Sequence, residues 1–166
     1  DGSNVVNKRR PNNPNIDDIP IPDRSLFDHA AYVRSPADSD RMGILCTSRS
    51  CPGRCTFCCR YDKGAFRCDS AEKVYGELKY LNEAYGVTHF SFQDDAFVVN
   101  HRRAKDICRL VIDDKDFNPT WDCMNIASTV NLELLELMAA AGCNEIAYGY
   151  ESGDLYTLKM IDKVFL

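Results

Sequence analysis

No stretch of about 18 apolar residues occurs in this 166-residue sequence, so a membrane-spanning helix is excluded. Excess positive charge is also lacking: 20 Lys and Arg stand against 25 Asp and Glu, a net of −5. A broad, sequence-independent grip on nucleic acid is therefore not expected. The opening Asp1-Gly2-Ser3-Asn4 has no basic and then apolar run of the kind a secretion signal needs. The steady recurrence of Leu, Ile, Val and aromatic residues excludes disorder along the whole chain. Histidine is scarce, and His29, His89 and His101 have no ligand spacing, so they read as structural. Cysteine is abundant. There are nine, an odd number that cannot all pair within one chain. Many thiols without a secretion signal point to metal or redox chemistry in a reducing compartment, with the cytoplasm as the expected location. The chain does not begin with Met and stops abruptly at Leu166, so it is expected to be a piece of a longer protein.

Composition divides the chain at about residue 40. Residues 1–40 read as a linker or interdomain arm, because Pro11, Pro14, Pro20, Pro22 and Pro36 break any helix or central strand. Lys8, Arg9 and Arg10 read as a solvated basic patch, and Ile16-Asp17-Asp18-Ile19-Pro20-Ile21-Pro22 as an extended segment lying on a surface. Residues 41–166 read as the core domain. Gly43–Thr47 is expected as a short buried strand, followed by a cysteine-rich loop to about Asp69. Ser70 caps a helix with its apolar stripe at Val74, Leu78, Leu81 and Ala84, stopping at Gly86. Val87–Phe92 alternates as a second strand. A helical stripe follows at Ala104, Ile107, Cys108 and Val111, then a third strand at Thr120–Met124. Asn131 caps a helix that stops at Gly142; Glu145–Tyr150 is a fourth strand, and a last helix begins near Asp154. Strands alternating with helices imply an α/β fold with a parallel sheet and right-handed crossovers. About four βα units are present, and the chemistry of such folds sits at the C-terminal ends of the strands. The cysteine loop, Gln93-Asp94-Asp95, the segment Asp122–Asn125, and Glu151-Ser152-Gly153 all fall on that one rim.

Cys51-Pro52-Gly53-Arg54-Cys55-Thr56-Phe57-Cys58 is a Cys-x3-Cys-x2-Cys set. Three thiolates so spaced can hold three irons of a cubane cluster and leave the fourth open to a substrate or cofactor. Pro52 and Gly53 let the loop curl tightly. The alternative is a zinc knuckle with Cys59 or Cys68 as the fourth ligand, although adjacent Cys58 and Cys59 suit one tetrahedral ion poorly. An electron-transfer iron–sulfur protein, with four cysteine ligands, is a third possibility.

With Phe57 before its last cysteine, this motif resembles the signature of the radical S-adenosylmethionine (radical SAM) superfamily. The resemblance runs over about residues 16–163 and is closest to the branch associated with a cobalamin-binding domain. Thr47-Ser48-Arg49-Ser50-Cys51-Pro52 is similar to that branch's lead-in, which more often has Gly where Ser50 stands. Phe92-Gln93-Asp94-Asp95-Ala96-Phe97 resembles its Phe-x-Asp-Asp-x-Phe segment. Met138–Cys143 and Tyr148-Gly149-Tyr150-Glu151-Ser152-Gly153 resemble later landmarks, and Ile19-Pro20-Ile21-Pro22 resembles the interdomain linker.

The resemblance implies a partial (β/α)6 TIM-like barrel, a [4Fe-4S] cluster, S-adenosylmethionine bound at the open iron, and radical chemistry begun by its reductive cleavage. The expected outcome is methyl transfer, cyclisation or rearrangement of an unknown substrate. Cobalamin would be held by an upstream domain, and electrons would come from a donor such as flavodoxin or ferredoxin. A cobalamin-independent methylthiotransferase-like enzyme is the alternative within the superfamily. By resemblance, Cys51, Cys55 and Cys58 ligate iron and Phe57 packs near the adenine. Asp94 and Asp95 stand where relatives hold the methionine amino group, and a carboxylate suits an ammonium. Glu151 and Ser152 are candidates for the ribose or methionyl end. The plainer readings are a loop turn or helix cap for the aspartates, and the N-cap of the next helix for Glu151-Ser152-Gly153. Cys108, Cys46 and Cys143 read as small hydrophobes; Cys59, Cys68 and Cys123 lie near the rim. Two further barrel strands are expected beyond the fourth, whose open edge is a liability. The piece alone is accordingly expected to be marginally stable.

Overall fold

The computed structural model describes residues 4–8, 10–28, 31–32, 41–59 and 64–163. Arg9, His29, Pro36 and the arm-to-core boundary at residue 40 lie outside the described residues.

Six strands and four helices are described: β1 (Arg41–Leu45), β2 (Ser48–Arg49), β3 (Arg67–Cys68), α1 (Ala71–Tyr85), β4 (Val87–Phe92), α2 (His101–Asp113), β5 (Thr120–Asn125), α3 (Leu132–Ala140), β6 (Cys143–Tyr148) and α4 (Leu155–Met160). The main sheet has the order β1-β4-β5-β6, and every pair in it is parallel. Sequential parallel neighbours joined by right-handed crossovers carry their helices on one face. The result is an α/β fold, an arc of a TIM-like barrel. Among the described residues no helix is long and apolar enough to cross a membrane.

Local chemistry explains the element ends. The Ser70 hydroxyl accepts from Lys73 N at 3.2 Å and opens α1; Gly86, in the left-handed region at φ +66°, closes it. Asn100, Asn131 and Asp154 cap α2, α3 and α4 in the same way. The first and fourth core strands run two residues earlier than the sequence pattern suggests. In β1 the ladder stops at Leu45, because the Thr47 carbonyl turns away to accept from Asp69 N at 2.8 Å. In β6 it begins at Cys143, because Gly142 turns sharply at φ +90° and its carbonyl accepts from Trp121 N at 3.0 Å.

The core fills the helix-covered face. Leu78, Leu81, Ile107, Val111, Leu134 and Met138 pack on Phe90, Phe92 and Trp121. The Phe92 and Trp121 rings meet edge to face at 5.5 Å. The other face, the concave one, carries Met42 and Ile44 from β1, His89 and Ser91 from β4, and Thr120, Asp122 and Met124 from β5. β6 is one edge strand of the sheet, opposite β1, and leaves Asn144, Glu145 and Ala147 exposed.

The described part of the arm is fixed to the start of α1. Lys73 donates to the carbonyls of Ile16 and Ile19 at 2.9 and 2.7 Å, and Asp17 accepts from Ser70 N at 2.7 Å. Arg24 pairs with Glu77 at 2.8 Å, and Ile16 is buried.

Candidate cluster and cofactor site

The cysteine loop hangs from a narrow neck. β2 and β3 pair antiparallel, Ser48 with Cys68 and Arg49 with Arg67. Strands this short have no periodicity, which is why the sequence pattern does not announce them. Ser50 sits at φ +71°, a conformation that favours glycine, and its hydroxyl offsets the strain by donating to the Gly64 carbonyl at 2.8 Å. Ser50→Ala keeps the strain and loses the bond, so it is expected to cost about 1 kcal/mol. Ser50→Gly loses both and is expected to stay within about 0.5 kcal/mol of wild type. Thermal melts of the two variants check this ordering; equal melting points would contradict it.

Within the loop, Gly53 N donates to Cys51 Sγ at 3.4 Å. A Cβ on Gly53 would lie 3.4 Å from Cys51 Sγ and 3.9 Å from Cys55 Sγ, so both sulfurs line the space a side chain would fill. Cys58 N donates to the Cys55 carbonyl at 3.2 Å, which makes the second turn. Burial pushes the Cys51 thiol above its usual range; the Gly53 N–H opposes this, and the Asp95 carboxylate adds to the rise. These groups therefore bear on one another. Cys51 and Cys55 are half-buried, whereas Cys58 and Cys59 are exposed. Among the described residues, no three or more His, Cys, Asp or Glu are gathered closely enough for a single metal ion.

The two aspartates after β4 part company. Asp94 is fully buried and accepts from the Thr47 hydroxyl at 2.8 Å and from the Ser48 hydroxyl. Arg103 of α2 donates to Thr47 Oγ1 and, through Nε, to the Asp69 carbonyl at 2.7 Å. Burial lowers the Arg103 guanidinium from its usual range, and the Asp94 charge pulls it back up. Asp94 thus ties the foot of the cysteine loop to β4 and α2. Asp95 is exposed and bears electrostatically on Cys51.

The far wall comes from the end of β6. Glu151, exposed and at φ +59°, pairs with Lys163 at 2.7 Å. Ser152 Oγ accepts at 3.0 Å from the N–H of Asp154, which is itself the cap of α4. Phe57 is 55% exposed, with Lys163 Nζ 5.7 Å from its ring centre. Phe57 and Glu151 therefore share a neighbour, whereas Asp94 points into the fold.

One polar group was not evident in the sequence. His89 Nδ1 and Thr120 Oγ1 are 2.8 Å apart, and His89 Nε2 and Asp122 Oδ2 are 2.9 Å apart. Ser91 donates to Asp122 Oδ1 at 2.7 Å, and Gln93 Nε2 donates to Ser91 at 2.8 Å. Strand alternation could have placed His89, Ser91 and Gln93 on one face. The register that sets His89 beside Thr120 and Ser91 beside Asp122 could not be read. At the end of β5, Asn125 Nδ2 is buried without a hydrogen-bond partner among the described residues. The neighbouring Cys143 and burial push the Cys123 thiol up, while Cys123 holds that of Cys143 down. Cys108 is buried in the core, where burial pushes its thiol up to about 12. Cys46 is exposed, with its sulfur 3.3 Å from Arg49 Nη1.

A three-cysteine loop at the mouth of a parallel α/β arc is matched by the sequence model of the radical SAM superfamily over residues 45–164. The chain belongs to that superfamily. It is 34% identical over 157 residues to an uncharacterised methyltransferase of Pyrococcus horikoshii, covering 93% of this chain and 33% of that protein. It is 29% identical over 158 residues to the cytidylyl-2-hydroxyethylphosphonate methyltransferase of Streptomyces wedmorensis, covering 89% of this chain and 29% of that one. The chain thus spans about a third or less of these curated relatives. In fold it is similar to the radical S-adenosylmethionine methyltransferase TsrM of Kitasatospora setae, solved with cobalamin and a [4Fe-4S] cluster, with a TM-score of 0.64 at 22% identity over 72% of this chain and 24% of that one. A second TsrM structure, with tryptophan and a SAM analogue bound, gives a TM-score of 0.63 at 23% identity over 70% of this chain and 23% of that one.

Proposed function

We propose that this chain supplies the cluster- and cofactor-binding core of a radical SAM methyltransferase. The observation that carries the reading is the placement of Cys51, Cys55 and Cys58 on one tight loop at the mouth of the arc, with two of the sulfurs lining the space beside Gly53. Three thiolates there fit a [4Fe-4S] cluster with one iron left open. When bound, that cluster supplies the electron that cleaves the sulfonium of S-adenosylmethionine.

The chain's own residues shape what surrounds it. Phe57 offers an exposed ring to the adenine. Asp95 offers a carboxylate to the methionyl ammonium. Glu151 and Ser152 stand at the ribose and methionyl end. Asp94, with its oxygens given to Thr47 and Ser48, holds the loop rather than the ligand. Asp122, held by the buried His89 and Ser91, faces the concave side where a substrate would lie. The arm over residues 1–40 then links this core to a domain that carries cobalamin, and a flavodoxin or ferredoxin supplies electrons. Two relatives named as methyltransferases and a fold neighbour solved with cobalamin support methyl transfer over methylthiolation.

The test is an anaerobic incubation of the full gene product with hydroxocobalamin, a low-potential reductant and S-adenosylmethionine carrying a trideuterated methyl group. Label appearing as methylcobalamin is the expected result. Cofactor cleavage without any labelled cobalamin would remove the methyl-transfer reading.

A further inference from the structure

We propose that Glu151 and Lys163 form a charged clasp that fixes the tip of the cysteine loop and so sets the width of the cofactor pocket. The proposal rests on the functional reading above and adds Lys163 to it as a positioning residue.

Three consecutive residues after α4 each meet the loop tip. The Ile161 carbonyl accepts from Thr56 N at 2.9 Å, Asp162 Oδ2 is 4.0 Å from Arg54 Nε, and Lys163 Nζ lies 5.7 Å from the centre of the Phe57 ring. Lys163 also pairs with Glu151 at 2.7 Å, so one ammonium joins the loop to the end of β6. The neck at β2 and β3 holds the loop's foot and cannot by itself fix residues 54–57.

An exposed ion pair often contributes nothing measurable. Three features set this one apart. The Lys163 side chain is only 16% exposed. Glu151 adopts the left-handed conformation at φ +59°, which a non-glycine residue takes only when its surroundings hold it there. Gly149 is bare where the pair crosses it: a Cβ there would lie 2.7 Å from Glu151 Oε1 and 2.8 Å from Lys163 Nζ. Backbone strain and a missing side chain thus serve the same contact. A cation over the Phe57 ring face restricts that ring through its quadrupole. Misplacing a binding group by about 1 Å can cost 100-fold in a well-oriented site, which is what fixing the ring prevents.

The experiment uses the full gene product as wild type, Lys163→Gln, Lys163→Arg and Glu151→Gln. Iron content, affinity for S-adenosylmethionine by titration of the cluster's EPR signal, and amide exchange across residues 54–58 in the cluster-free protein are measured. In Lys163→Gln and Glu151→Gln we expect wild-type iron, roughly 10-fold weaker cofactor binding, and faster exchange at Thr56. Lys163→Arg, which keeps the charge and can stack on the ring, is expected to stay within about 3-fold of wild type. Lys163→Gln with wild-type affinity overturns the clasp. Loss of iron in parallel with affinity also overturns it, because the pair would then be a general structural tie. A wild type that holds iron and ignores the cofactor defeats the functional reading and the clasp together, and is told apart by its unshifted spectrum.

Discussion

Replacing any one of Cys51, Cys55 or Cys58 by Ala is expected to abolish cluster assembly, with iron falling from about four atoms per chain to background. The three positions are not redundant. In the proposed ligand set each thiolate serves a different iron, and Cys59, exposed beside Cys58, is one residue out of register with the loop's second turn. Cys59→Ala is therefore expected to keep its iron, as is Cys108→Ala, whose sulfur lies in the core. Fold should survive the loop substitutions, because Cys51 and Cys55 are half-buried, Cys58 is exposed, and none belongs to the packed face of the sheet. Iron and sulfide analysis after anaerobic reconstitution, beside circular dichroism, separates the two groups. A Cys55→Ala protein with full iron would contradict the ligand set. Loss of iron in Cys59→Ala would bring the zinc-knuckle arrangement back into view.

The aspartate pair should split just as sharply. Asp94→Asn puts an amide where two hydroxyls donate and removes the negative charge facing the buried Arg103. Hydrogen bonds to a buried charge, together with an uncompensated partner, make the expected cost roughly 3 kcal/mol. In a chain of this size that corresponds to a fall of roughly 10 °C in melting temperature. Asp95→Asn removes an exposed carboxylate and should leave the melt unchanged. Its expected effect is on the cofactor, with affinity for S-adenosylmethionine about 10-fold weaker, or about 1.4 kcal/mol. Melting and binding curves on both variants decide the matter. Equal melting points would mean that Asp94 does not hold the loop.

The contrast between these neighbours shows where sequence stops being legible. α1 could be read with both its caps because Ser70 and Gly86 are local signals acting on the backbone beside them. β4 could be read to its ends because Val87–Phe92 alternates within one strand. Both are short-range chemistry. Asp94 and Asp95 follow the same strand, and nothing in their own segment says which turns inward. That is decided by Thr47 and Ser48, more than forty residues earlier, and by Arg103 on the next helix. The partners of the buried His89, Thr120 and Asp122, are hidden for the same reason, since they come from another strand. Ser50 is an instructive middle case. Its position in the motif is where Gly is more usual, and the structure supplies the cause in a backbone at φ +71°. The cysteine spacing is legible because Cys51, Cys55 and Cys58 fall within eight consecutive residues. The clasp at Lys163 is not, because it joins that loop to a segment more than one hundred residues away.

The most direct measurement is an EPR spectrum of the full gene product, reconstituted with iron and sulfide under anaerobic conditions and reduced, recorded with and without S-adenosylmethionine beside a Cys55→Ala control. An open iron on a three-cysteine loop predicts a cubane signal that shifts when the cofactor is added and is missing from the control. A cubane signal indifferent to the cofactor, or a protein that takes up zinc and forms no cluster, would contradict it.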